Sequence, residues 1–332
     1  MYDVPSNDTD PAFFYISSRG GSATTWLGRA LSMHPSVVAF HGSEAVPAFN
    51  ECGGYHDVKP ADFFRYLKTM GTITSGEKYF GAIHLYYGDK AYDATIAENG
   101  LFSAVIRDPI RRINSLYWDY AQRHLGGNIT DRKINIFNAL EGLPADDLAC
   151  PPISEVHCIQ YAYERTNDSA VGVKSAVDPL RQFLYRSKQN IKGMLTPTPP
   201  PNDQSPRAIA RLLAQEFSHL AGEIVAYDLD CWRVCKKTRS MIQMEEMVAS
   251  REYFQQTVWP NVAPHLECND TYLDRVMASG KTNVHALEER ASIDIYNKWS
   301  PGFQKAFQEI IDVLGRNEVS EMYQNFGYKL PH

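Results

Sequence analysis

Between Phe14 and Leu31 the sequence FYISSRGGSATTWLGRAL sets a short apolar strand, a glycine-rich turn and the start of an amphipathic helix in immediate succession. That succession builds an anion cradle. Gly20 and Gly21 let the backbone approach a charged group, and Ser22, Thr24 and Thr25 offer hydroxyl donors. The unbonded N–H groups of the helix's first turn aim at the same point. The triphosphate pattern GxxxxGK[ST] is absent, because no lysine precedes the Ser/Thr pair. By itself such a turn also has a plainer reading as an ordinary helix cap.

A second segment, LFSAVIRDPIRRINSLYWDYA at Leu101–Ala121, runs a hydrophobic strand into Arg107-Asp108-Pro109 and then a helix. Pro109 suits the first helical position, where its missing N–H costs nothing, and Asp108 suits the N-cap before it. Arg107 at the strand's carboxyl end and Ser115, two helical turns past the cap, can converge on one phosphate as a charged fork and a hydroxyl. Taken singly, Arg107 reads as a surface ion-pair partner and Ser115 as a helix serine. Arg111 and Arg112 complete a local basic cluster and read equally well as a solvated helix face.

In order and separation, the two segments resemble the nucleotide-binding elements of sulfotransferases that use 3′-phosphoadenosine 5′-phosphosulfate (PAPS). The family's first element reads P-[KR]-S-G-[ST]-T-W-L, and a gapless alignment sets Ser22, Thr24, Thr25, Trp26 and Leu27 on its S, [ST], T, W and L. RALSMHP at Arg29–Pro35 is similar to the helix and exit turn that follow. The second element reads R-[DN]-P with a serine eight positions after the arginine, the relation of Arg107 to Ser115. The resemblance implies a P-loop-like α/β fold with PAPS as co-substrate and adenosine 3′,5′-bisphosphate (PAP) as product. It places Ser22 to Thr25 on the 5′-phosphosulfate side and Arg107 with Ser115 on the 3′-phosphate. In the gapless frame the family's basic residue falls on Gly21 and its glycine on Ala23. A frame set on Arg19-Gly20-Gly21-Ser22 restores the cation and gives Arg19 the contact with the bridging oxygen. The late segment beginning SGKTNVHALEER is similar to the family's lid over the 3′-phosphate, which makes Lys281 and Arg290 candidates, and EMYQNFGYKLP resembles its terminal helix and GY ending.

An acceptor hydroxyl must lose its proton as sulfur is attacked, which calls for a general base. His84, in YFGAIHLYY, resembles the base of cytosolic sulfotransferases, which lies in a K-x-H segment, although Ala82 stands at the lysine position. His41 and Glu44, in VVAFHGSEA, resemble the region where heparan-type and bacterial members carry a catalytic glutamate. The three remain alternatives. Glu245 and Glu246, in MIQMEEMVASREYF, read as structural residues of a late strand, acidic turn and helix.

Apolar runs predict strands at Phe13–Ser17, Val37–His41, Tyr79–His84, Phe102–Ile106 and Ser240–Met244, with helices between most of them. Alternation of this kind makes an α/β fold, a parallel central sheet flanked by helices. Ligands in such sheets sit beyond the carboxyl ends of the strands, which would bring Arg19, His41, His84 and Arg107 to one rim. The chain of 332 residues, 44% hydrophobic, fits one domain over 1–332 with an acceptor-side insertion at about 128–206.

A net charge of −6 supplies no general attraction to nucleic acid or an anionic membrane, so the expected partner is a saccharide or other small-molecule acceptor. A homo-oligomer is compatible with this reading. Scattered histidines, with no paired C-x-x-C, predict no metal requirement. Six cysteines without framework spacing, no cleavable leader and no apolar run of membrane-spanning length predict a soluble cytoplasmic protein. Two other readings stand beside the sulfotransferase one. A P-loop kinase or NTPase needs a loop lysine, magnesium and a second acidic strand end. A non-catalytic nucleotide- or glycan-binding protein is suggested by Gly21 at the basic position.

Overall fold

The computed structural model describes residues 12–18, 21–41, 61, 64–65, 79–83, 88–116, 206–236, 238, 240–280 and 291–331. Arg19, Gly20, Glu44, His84, Lys281 and Arg290 lie outside them, as does the 128–206 segment apart from Pro206.

Strands β1 (Ala12–Ser17), β2 (Val37–His41), β3 (Tyr79–Ile83), β4 (Leu101–Ile106) and β5 (Met241–Gln243) form one all-parallel sheet in the order β2-β3-β1-β4-β5. The central strand is apolar at consecutive positions, and Phe13, Phe14, Tyr15 and Ile16 are all buried. Consecutive residues of a strand point to opposite faces, so burial of all four means that both faces of β1 are covered. Helices α1 (Thr24–Ser32), α2 (Gly88–Ala97), α3 (residues 109–116) and α4 (Pro206–Cys235) alternate with the strands. The chain is therefore α/β. Among the described residues no helix is long and apolar enough to cross a membrane.

Two compact units make up the chain. The first comprises 1–116, 227–295 and 320–331 and holds the sheet; the second comprises 117–226, 296–319 and 332. In the first, Trp26, Leu27, Ala30 and Leu31 of α1 recur at helical spacing and pack with Phe14, Ile16 and Ile83 of the sheet. Their other neighbours include Phe254, Trp259 and, on α5 (Met244–Ala249) and α6 (Asp270–Gly280), Met247 and Tyr272. Tyr272 Oη donates to the Ala30 carbonyl at 3.0 Å, fixing α6 against α1. In the second unit, α7 (Pro301–Leu314) is capped by Ser300, whose hydroxyl accepts from the Phe303 amide, and ends at Gly315 with φ +98°. Phe303 of that helix stacks on Phe217, ring centroids 4.2 Å apart.

The strand boundaries follow the apolar runs to within a residue: β1 and β4 begin one residue earlier, at Ala12 and Leu101, and β5 excludes Ser240 and Met244. Met244, expected at the end of β5, is the first residue of α5. Its buried apolar side chain serves either element, so composition carries no signal for the switch.

Arg112 is neither solvated nor part of an anion cluster. Its Nη1 lies 2.6 Å from Asp228 Oδ1 on α4, and both side chains are at most 1% exposed. Tyr323, on α8 (Arg316–Gln324), donates its hydroxyl to Asp228 Oδ2 at 2.9 Å. Burial holds the Asp228 carboxyl above its usual range against the pull of the Arg112 charge and the hydrogen bonds. Removing one partner strands the other charge in the core, so Asp228→Ala is expected to destabilise the protein by about 3–5 kcal/mol. The double replacement Arg112→Met with Asp228→Leu should recover much of that loss. Urea denaturation of the three proteins checks both statements; equal stability of wild type and Asp228→Ala would remove the ion pair from the account.

Candidate functional site

The order of the strands fixes where a crevice must form. The connection leaving β1 leads to β2 on one side of the sheet, and the one leaving β4 leads to β5 on the other, while β1 and β4 are neighbours. Adjacent strands whose connections part in this way leave an opening at their carboxyl ends, the place where open α/β sheets bind ligands. Ser17 of β1 pairs with Ala104 of β4, so the two motif segments emerge side by side.

At the β1 mouth the turn into α1 is shaped by two left-handed residues, Gly21 at φ +78° and Ala23 at φ +54°. A Cβ on Gly21 would lie 2.8 Å from Leu116 Cγ of α3, so both backbone conformation and space require glycine. The gapless alignment places a family lysine or arginine at this position, and the turn has no room for one. Ala23 serves as N-cap of α1 without a side-chain hydrogen bond, and the first turn contains no acidic residue. The leading amides of α1 therefore receive no side-chain acceptor from the cap, and the helix dipole favours an anion before them. Gly28 lets α1 lie close over β2 and β3, its Cα facing His41 Cβ and Ile83 Cδ1.

At the β4 mouth, α3 begins as its sequence predicts. Asp108 Oδ1 accepts from the Arg111 amide at 3.0 Å, and Pro109 opens the helix. Arg107 is 2% exposed and donates from Nη1 to the Gly21 carbonyl at 2.6 Å, across 86 residues of chain. Behind it, Glu245 Oε1 lies 4.0 Å from Arg107 Nε and accepts from the Asp108 amide at 3.4 Å. Tyr328 donates its hydroxyl to Glu245 Oε2. Burial, and next the Glu245 charge, push the Tyr328 phenol well above its usual range, so it stays a donor. Ser292 donates to Asp108 Oδ2 at 2.5 Å, binding a later segment to the same mouth.

His41, at the end of β2, turns its imidazole to the start of α1. Its Nε2 lies 3.1 Å from Thr24 Oγ1 and 3.4 Å from Thr25 Oγ1. Gly21, Ser22, Ala23, Thr24, Thr25, His41 and Arg107 thus belong to one rim. Ser115 sits half-buried on α3. Ser22 is fully buried and Thr24 nearly so, while Thr25 is exposed. Trp26 points inward, its ring edge-on to Phe254 and its indole N–H donating to Ser279 at 2.9 Å.

An open cavity of about 530 Å³ lies at the ends of β4 and β5, lined among others by Asp108, Arg111, Gln243, Glu245, Glu246 and Tyr328. Glu245 is partly buried among its contacts with Arg107, the Asp108 amide and Tyr328, and Glu246 is exposed. No group of three or more His, Cys, Asp or Glu among the described residues is arranged to hold a metal ion. Cys231, Cys235 and Cys268 are free and buried. Burial raises their thiols, Cys235 to about 12 and Cys268 to about 11, which leaves them poor nucleophiles.

The supports of the site, Tyr328, Ser292 and the Asp228–Tyr323 pair, depend on contacts between residues far apart in the sequence. Only the GY ending around Tyr328 carried a local signal. Comparisons with known protein families, with curated proteins and with solved structures find no match to this chain.

The two glycines of the first element make a contrast that thermal melts can check. Gly21→Ala must force either Leu116 or the turn to move and should destabilise the protein by about 1–3 kcal/mol. Gly28→Ala meets His41 Cβ at an ordinary 3.5 Å and should be neutral or stabilise α1 by up to about 1 kcal/mol. Equal melting temperatures for the two variants would contradict the packing of the turn on α3.

Proposed function

We propose that the chain is a PAPS-dependent sulfotransferase with a P-loop-like fold, transferring the sulfuryl group to a hydroxyl of a saccharide or other small-molecule acceptor. The observation that supports this reading most is the hydrogen bond from Arg107 to the Gly21 carbonyl. It joins the two sequence elements that resemble the 5′- and 3′-phosphate sites of that family, at the opening between β1 and β4.

The residues present fit such a nucleotide. The turn at Gly21 to Ala23 and the uncapped start of α1 suit the 5′-phosphosulfate, with Thr24 and Thr25 adding hydroxyls. Arg107 and Ser115 stand at the neighbouring mouth for the 3′-phosphate. Sulfuryl transfer runs in line, and negative charge grows on the bridging oxygen as the bond to sulfur breaks. Loop amides, threonine hydroxyls and Arg19 would stabilise that charge, so that positioning and electrostatics supply most of the rate. The acceptor proton goes to a base drawn from His84, Glu44 and His41. The sulfuryl group carries less charge than a phosphoryl group, and the mechanism needs no metal.

One observation favours a second reading. Glu246, in the first turn of α5 just past β5, stands exposed beside the cavity, an acidic group of the kind that a magnesium-dependent nucleotide site would use. Ligand titration separates the two. Titration calorimetry is expected to show binding of adenosine 3′,5′-bisphosphate, weakened by about 2–3 kcal/mol in Arg107→Ala, as when one partner of a charge-assisted contact is removed. Sulfuryl transfer from PAPS to a panel of hydroxyl acceptors should accompany it. Unchanged affinity in the variant would reject the Arg107 assignment. Binding of ATP with magnesium in place of the bisphosphate would favour the kinase or NTPase class.

A further inference from the structure

His41 is a candidate base by resemblance, yet its geometry suits another task. Its Nε2 is within hydrogen-bond distance of Thr24 Oγ1, at 3.1 Å, and 3.4 Å from Thr25 Oγ1. A base that serves an acceptor substrate must turn an available lone pair to that substrate. Here the nitrogen is turned to the loop. Each threonine hydroxyl has a single proton and two lone pairs, whereas Nε2 is either one donor or one acceptor. If Nε2 accepts, it takes the proton of one threonine, and that hydroxyl can offer an anion only lone pairs. If Nε2 carries hydrogen and donates to Thr24 Oγ1, both threonine protons are left to point into the mouth.

We infer that His41 is a positioning residue whose Nε2–H donates to Thr24, so that the hydroxyls of Thr24 and Thr25 face an anion as donors. This deepens the nucleotide reading above and rests on it for the identity of the anion. It also takes Nε2 of His41 out of the role of general base. The close approach of α1 to β2 at Gly28 and the placement of His41 on the last residue of β2 hold the ring at the loop.

The test replaces the ring by groups of defined hydrogen-bond sense and titrates adenosine 3′,5′-bisphosphate. A glutamine amide can donate where Nε2–H does, so His41→Gln should bind within about threefold of wild type, whereas His41→Phe keeps the bulk without the donor and should weaken binding about tenfold. His41→Glu, an acceptor that also carries negative charge, should weaken it further. With Thr24 and Thr25 replaced by valine, His41→Phe should add nothing more, because its partners are gone. Equal affinities for His41→Gln and His41→Phe would overturn the assignment. So would wild-type affinity in His41→Phe combined with lost sulfuryl transfer, the signature of a base. Imidazole ¹⁵N shifts of the wild-type protein give an answer independent of the nucleotide. A hydrogen-bearing Nε2 supports the inference, and an unprotonated one overturns it even if the bisphosphate does not bind. Absence of bisphosphate binding in the wild type counts against the nucleotide reading alone.

Discussion

A buried guanidinium on a loop carbonyl holds the site together. Arg107 leaves the end of β4 and donates to Gly21 at the end of β1, and Gly21 in turn rests on Leu116 at the far end of α3. The glycine-rich turn is therefore held from both ends of one helix. A buried arginine must have its charge balanced, and a carboxylate beside Arg107 meets that demand. Glu245 stands behind it, and Tyr328 and the Asp108 amide hold Glu245 in place. The C-terminal segment thus contributes to the shape of a loop formed near the start of the chain.

The sheet makes this arrangement possible. Parallel strands deliver all their carboxyl ends to one edge, and the order β2-β3-β1-β4-β5 puts β1 beside β4 with their exits diverging. Two segments separated by most of a hundred residues of sequence become neighbours. Asp108 has a double role there. It caps α3 through the Arg111 amide and receives the Ser292 hydroxyl, so the helix start and a later part of the chain share one carboxylate. The same edge carries His41 to the threonines of α1.

Much of the scaffold is legible in the sequence because it is written in local patterns. Consecutive apolar residues at Phe13–Ile16, and the run Phe102–Ile106 interrupted only by Ser103, announce strands covered on both faces, and Asp108-Pro109 announces a helix start. What is not legible depends on contacts distant in sequence. Arg112 beside Arg111 looks like a solvated cation until Asp228, 116 residues later, is found against it. Trp26 fits a ligand-side motif, yet on α1 it lies on the face with Leu27 and Ala30 and packs inward. Glu245 reads as an acidic turn residue, but its link to Tyr328 appears only when the chain end returns to the sheet. Gly21 is half legible: its backbone freedom is suggested by residue type, whereas the contact with Leu116 is not.

A crystal structure of the protein with adenosine 3′,5′-bisphosphate tests the central claim most directly, namely that the mouths of β1 and β4 form one pocket for a doubly phosphorylated nucleotide. A single nucleotide is expected, its 5′-phosphate at the amides from Gly21 to Thr25 and its 3′-phosphate at Arg107 and Ser115. Density for the nucleotide elsewhere, or with only one of its phosphates at this opening, would contradict it.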